Sequence, residues 1–127
     1  MRRTIRVQPF DASFVLVIGQ PARVALFKKL RVDPGANDDL GAVYRIDGVD
    51  GVPCFVMYLP PARDEEVLYH EALHMAVALM DHFGVAVNAA NDETLAHLQS
   101  HIVRQIDRAV YKRPPPVNRT KRKSEVE

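Results

Sequence analysis

Cysteine is almost absent from this 127-residue chain: Cys54 stands alone, so no internal disulfide can form and a reducing compartment suits it. A single thiol inside an apolar run reads as a small core residue rather than a nucleophile. Long hydrophobic runs are missing too. The longest candidate, Phe14 to Ile18, is strand-length against the ~20 residues that span a bilayer, so no membrane partner is expected. The basic start, Met1-Arg2-Arg3, lacks the apolar stretch of a secretory signal. A cytoplasmic protein, not one exported by a signal peptide, is the expectation. No internal repeat is visible.

A strong charge of one sign is also lacking, since the net charge is only +1. Its distribution is uneven. Residues 112–127 carry Lys112, Arg113, Arg119, Lys121, Arg122 and Lys123 against Glu125 and Glu127, a net of +4, which leaves −3 on the rest. Three prolines, Pro114 to Pro116, stand where order is expected to end. The division predicted is one domain over 1–111 and a basic, disordered tail over 112–127. Such a tail suits nucleic acid or another acidic surface, or simply solubility. No aromatic follows Tyr111, so base stacking is not suggested. At 47% apolar and 26% charged residues, the remainder is an ordinary globular composition with one modest core.

Thr4–Val7 and Ser13–Ile18 have the β-branched pattern of strands about a turn near Pro9 and Asp11. Pro21 opens a segment that reads as a short helix or as a strand through Arg23–Phe27. Residues 33–41 form a loop by composition. Ala42–Ile46 and Cys54–Leu59 then flank Asp47-Gly48-Val49-Asp50-Gly51, a hairpin signal. Pro53 argues for an edge position of the second strand, because proline donates no ladder hydrogen bond. Asp64 begins a helix of about 64–83 with Glu65 and Glu66 in its first turn. Leu68, Ala72, Met75, Leu79 and Phe83 form its apolar stripe, and Gly84 closes it. A second helix of about 92–110 starts at Asn91 or Asp92 and turns Leu95, Leu98, Ile102, Ile106 and Val110 inward. The sum is an α+β domain: a small antiparallel or mixed sheet packed on two long helices.

Within the first of those helices lies His70-Glu71-Ala72-Leu73-His74, an H-E-x-x-H run. Residues four apart sit ~40° apart in azimuth and one turn apart in height, so both imidazoles can reach one ion. Glu71 is offset by ~100° from His70 and ~60° from His74, which suits contact with a water at the metal rather than ligation. A third ligand is available at the start of the next helix. The 84–91 connection could span ~26 Å, enough to bring Glu93 back to the level of the histidines. Two neutral histidines and a carboxylate would leave a zinc position open, as catalytic sites do. The bland alternative is the polar flank of an amphipathic helix. All five histidines, however, fall within residues 70–101.

The H-E-x-x-H helix followed by a glutamate resembles the gluzincin branch of zinc metallopeptidases. That resemblance implies a zincin-like domain binding one Zn²⁺ through His70, His74 and Glu93, with Glu71 as general base. The chain departs from the branch at its Asn-Glu-x-x-x-Asp pattern, because Asp92 separates Asn91 from Glu93 and His97 stands in place of the aspartate. The metzincin pattern fails at Val77 and Met80. Tyr58-Leu59-Pro60-Pro61, the H-E-x-x-H run and Asn91 to Leu98 together look like small H-E-x-x-H proteins of tailed phages. That points to a host-cytoplasmic or virion setting. His97 and Tyr69 are further candidates, as supports for a ligand or for an oxyanion. The expected function is a zinc-dependent hydrolase of peptide or protein substrates. The alternative is a non-catalytic zinc-binding component of a phage particle, partnered by phage structural proteins.

Overall fold

The computed structural model describes residues 1–8, 10–35, 40–48 and 50–112. It is an α+β fold with four strands and three helices. β1 is Arg2–Val7, β2 Ala12–Ile18, α1 Gln20–Lys29, β3 Ala42–Asp47, β4 Pro53–Leu59, α2 Glu65–His82 and α3 Asp92–Ile106. The sheet order is β1-β2-β4-β3, antiparallel except for the parallel β2–β4 pair. None of the described helices is long and apolar enough to cross a membrane. The basic tail expected over 112–127 lies outside the described residues, apart from Lys112.

The two sheet faces are covered unequally. Strand alternation puts Phe14, Leu16, Phe55, Met57 and Leu59 on one face, where they meet Leu68, Met75, Leu79 of α2 and Leu98, Ile102, Ile106 of α3. Val17, Val56 and Tyr58 face the other way and pack on Leu26 and Phe27 of α1. The segment at Pro21 is therefore a helix, with Pro21 in the first turn, where its missing N–H costs nothing. On its inner side Arg23 is buried and donates to the carbonyls of Pro34 and Gly35, which pins the start of the loop that leads to β3.

Several expectations need correction. β4 is not an edge strand, because β2 and β3 pair on either side of it. Proline is tolerated since Pro53 is the first residue of β4 and the β2 register begins only at Val56. Among the described residues the edges are β1 and β3. Phe83 does not continue the buried stripe of α2. It follows the last helical turn, is exposed, and stacks on Phe10 with ring centroids 5.1 Å apart. The final helix is α-helical only to Ile106, and Asp107–Tyr111 widens into a π-turn. There Asp107 accepts two hydrogen bonds from Arg63, at 2.8 and 3.1 Å, and the Tyr111 hydroxyl donates to the Pro60 carbonyl at 2.9 Å. These contacts tie the lead-in of α2 to the end of α3. Leu95 and Val110 are half-buried against the core.

Candidate metal centre

α2 is capped at its N-terminus by Asp64, whose Oδ1 accepts from the Val67 N–H at 3.1 Å, and its first turn carries Glu65 and Glu66. Packing of Leu68, Ala72, Met75 and Leu79 against the sheet fixes the helix's rotation. At 100° per residue, Glu71 then falls about 80° from the centre of that stripe and the two histidines about 140–180° from it. The observed burial follows this order. Glu71 keeps 6% of its surface, while His70 and His74 are exposed.

The imidazoles converge. Their Nε2 atoms are 3.1 Å apart and the rings meet edge to face with centroids 4.7 Å apart. Two imidazole nitrogens on one tetrahedral zinc, each at about 2.0–2.1 Å, would lie about 3.3–3.4 Å apart. The pair therefore fits a shared zinc ion with a shift of a few tenths of an ångström. The Glu71 Oε1 lies 3.8 Å from the His70 Nε2. All three residues line a cleft of about 550 Å³, whose opposite wall is the edge strand β3 through Ala42, Val43 and Arg45. A smaller depression of about 390 Å³ continues past Glu71 between Leu40, Asp64, Glu66 and Val67.

Glu93 is not brought to the histidines. It sits in a different depression with Gln8, Phe10 and His101, and its side chain is 87% exposed beside His97 at 3.5 Å. The reason is rotational. α3 touches α2 through Gln99, whose Nε2 donates to the Tyr69 carbonyl at 3.0 Å. Glu93, six residues earlier, points about 120° around the helix from that contact, toward the β1–β2 turn. The loop reaches far enough, but this face of α3 carries Glu93 away from the histidines. Among the described residues no group of three His, Cys, Asp or Glu side chains is placed to hold a metal. His97 accompanies Glu93 away from the cleft. Tyr69 lies on the α3 flank of α2, about 160° round from Glu71, and does not line the cleft.

Two residues that the sequence did not single out belong to the site. Gly41 lies against Glu71: a Cβ there would meet the Val67 Cγ1 at 2.7 Å, the Glu71 Cγ at 2.9 Å and the Tyr58 carbonyl oxygen at 3.2 Å. Its position as the last residue of a glycine-containing loop gave no hint of that approach. Arg45 shares its strand face with Val43, and the period-two alternation of β3 was the available signal.

The other perturbed groups stand apart. Burial pushes the Cys54 thiol up from its ordinary value, which fits an unreactive packing residue at the start of β4. Burial, aided by Arg104 and Arg108, lowers the pKa of His101. Searches against protein-family models, curated proteins and solved structures find no match to this chain.

Proposed function

We propose that this protein is a zincin-like, zinc-dependent hydrolase of peptide or related amide bonds. One observation carries the reading: two imidazole nitrogens 3.1 Å apart share a cleft with a buried carboxylate. His70 and His74 would hold the ion, with Glu93 outside the set in the present arrangement of α3. Zinc bound there would supply a Lewis acid that acidifies water and polarises a carbonyl.

The chain's own residues then divide the work. Glu71, held on the cleft wall and mostly shielded from solvent, takes a proton from water and returns it to the leaving amine. Gly41 leaves room for that carboxylate's stem. β3, an edge strand among the described residues, runs along the cleft, where an extended peptide would pair more stably in the antiparallel than in the parallel sense.

The separate placement of Glu93 favours a second reading, in which His70 and His74 bind zinc without turnover, as part of an assembly. Two measurements decide. Elemental analysis of protein purified without chelator should find one zinc per chain, and His74→Ala should abolish it. Glu71→Gln should keep the zinc and lower peptide hydrolysis by at least ~100-fold, the scale of general-base catalysis. No stoichiometric zinc in the wild type would sink both readings. Zinc without hydrolysis across a broad peptide library would leave only the second.

A further inference from the structure

We infer that Arg45 selects a substrate carboxylate: resting on the hydrolase reading, the cleft takes an extended peptide with Asp or Glu about two or three residues N-terminal to the bond beside Glu71. Arg45 is the one lysine or arginine among the described residues that line this cleft. Its position is fixed by the sheet. It pairs with Phe55 of β4, and its Cζ lies 6.0 Å from the centre of that ring. Phe55 is itself buried and meets the His82 ring edge to face at 5.5 Å. An arginine braced over an aromatic face keeps its planar fork available for a carboxylate.

The guanidinium has a carboxylate already, but a loosely held one. Asp47 lies 3.4 Å from the Arg45 Nε, and the two side chains are 50% and 69% exposed. Exposed pairs of that kind contribute little and exchange readily. The depression beyond the other end of the cleft is acidic: Glu71, Asp64 and Glu66 line it. Apart from a metal at the histidines, Arg45 is therefore the cationic group that the cleft's described lining offers a peptide carboxylate.

Direction follows from the chain trace. β3 runs from Gly41, which abuts Glu71, toward Arg45. A peptide added antiparallel enters at Arg45 and reaches Glu71 later, so residues near Arg45 precede the bond. Four strand residues span about 13 Å, and the arginine side chain covers part of it, leaving about two or three peptide residues. A free C-terminal carboxylate would reach Arg45 only in the parallel orientation.

The test uses the full-length Glu71→Gln protein with one equivalent of zinc and fluorescein-labelled decapeptides. Each peptide carries Glu, Gln or Lys at one position, with its C-terminus either free or amidated. Affinity is read by anisotropy, and the bond is mapped by mass spectrometry with the wild type. Glu before the bond should bind about fivefold more tightly than Gln, and the preference should shrink as salt is raised. Arg45→Gln should erase it, Arg45→Glu should reverse it in favour of Lys, and Asp47→Asn should deepen it about twofold by removing the competitor. The inference is overturned by an absence of binding, by binding without charge preference, by a preference that survives Arg45→Glu, or by selection of the free C-terminus. Hydrolysis without charge preference would overturn the inference and leave the hydrolase standing. Charge-selective binding without hydrolysis would overturn the hydrolase reading and with it the placing of the carboxylate before a bond.

Discussion

Replacing Gly41 by alanine tests the site through its tightest contact. The added methyl carbon would sit 2.7 Å from the Val67 Cγ1, 2.9 Å from the Glu71 Cγ and 3.2 Å from the Tyr58 carbonyl oxygen. Carbon atoms prefer separations of about 3.5–4.0 Å, so both helix side chains must retreat by roughly 0.6–1 Å. The Tyr58 oxygen cannot yield, because it belongs to the central strand β4. Val67 is β-branched and stiff at χ1. Glu71 is the softer neighbour and should take up much of the strain. Overpacking of this order costs about 1–3 kcal/mol, which urea denaturation resolves. The three nearest neighbours of the new methyl include neither His70 nor His74, so zinc affinity should change little while the Glu71 carboxylate shifts. A 1 Å misplacement of a catalytic group can cost about 100-fold in rate.

Two controls separate this from backbone strain. Gly41 does not have positive φ, whereas Gly35 does, at 59°, with nothing within 4 Å of its would-be Cβ. Gly35→Ala should therefore cost only the left-handed penalty of about 1–2 kcal/mol and leave the rate intact. Val67→Ala in the Gly41→Ala background should recover stability relative to its effect on the wild type, a coupling of about 1 kcal/mol. A Gly41→Ala protein with wild-type stability and wild-type hydrolysis would refute the argument that Glu71 is wedged against β3.

Glu93→Ala should change zinc affinity less than threefold by competition with a chromophoric chelator; a loss of orders of magnitude would mean that α3 turns on metal binding and that Glu93 is a ligand after all. Asp107→Ala should cost about 1–2 kcal/mol in urea denaturation, because it removes two hydrogen bonds from an Arg63 guanidinium that is only 17% exposed and leaves it Glu65 at 3.8 Å. A value near zero would show that the Arg63–Asp107 tie behaves as a surface pair. His101 binds a proton less readily folded than unfolded, where its ordinary pKa is 6.5. Its contribution to stability is therefore intact above that pH and falls as the pH drops from 6.5 toward the lower folded value, where the unfolded state takes up more protons. His101→Gln should flatten that part of the pH–stability curve, and an unchanged slope would count against it.

What the sequence could and could not disclose follows from how local each signal is. The α2 stripe, the Asp64 cap and the His70–His74 spacing are all contained in one helix, so their periodicity carried them. The hairpin at Gly48–Gly51 is likewise local: the Gly48 N–H donates to the Val52 carbonyl and the Gly51 N–H to that of Gly48. Pro53 misled because its local meaning, a missing donor, is neutral at the first residue of a strand whose second neighbour joins later. Glu93 lies away from the histidines for a different reason. Distance along a loop bounds where a helix can begin, but the helix's rotation is set by its own stripe, and Leu98, Ile102 and Ile106 turn Glu93 outward. Applying the stripe of α3 to Glu93 would have shown it, since five residues before Leu98 is about 140° around the helix. Gly41 and Arg45 depend on which strand becomes the edge next to α2. That is a property of the β2–β4 pairing, contributed by residues far away in sequence, and no window around position 41 or 45 contains it.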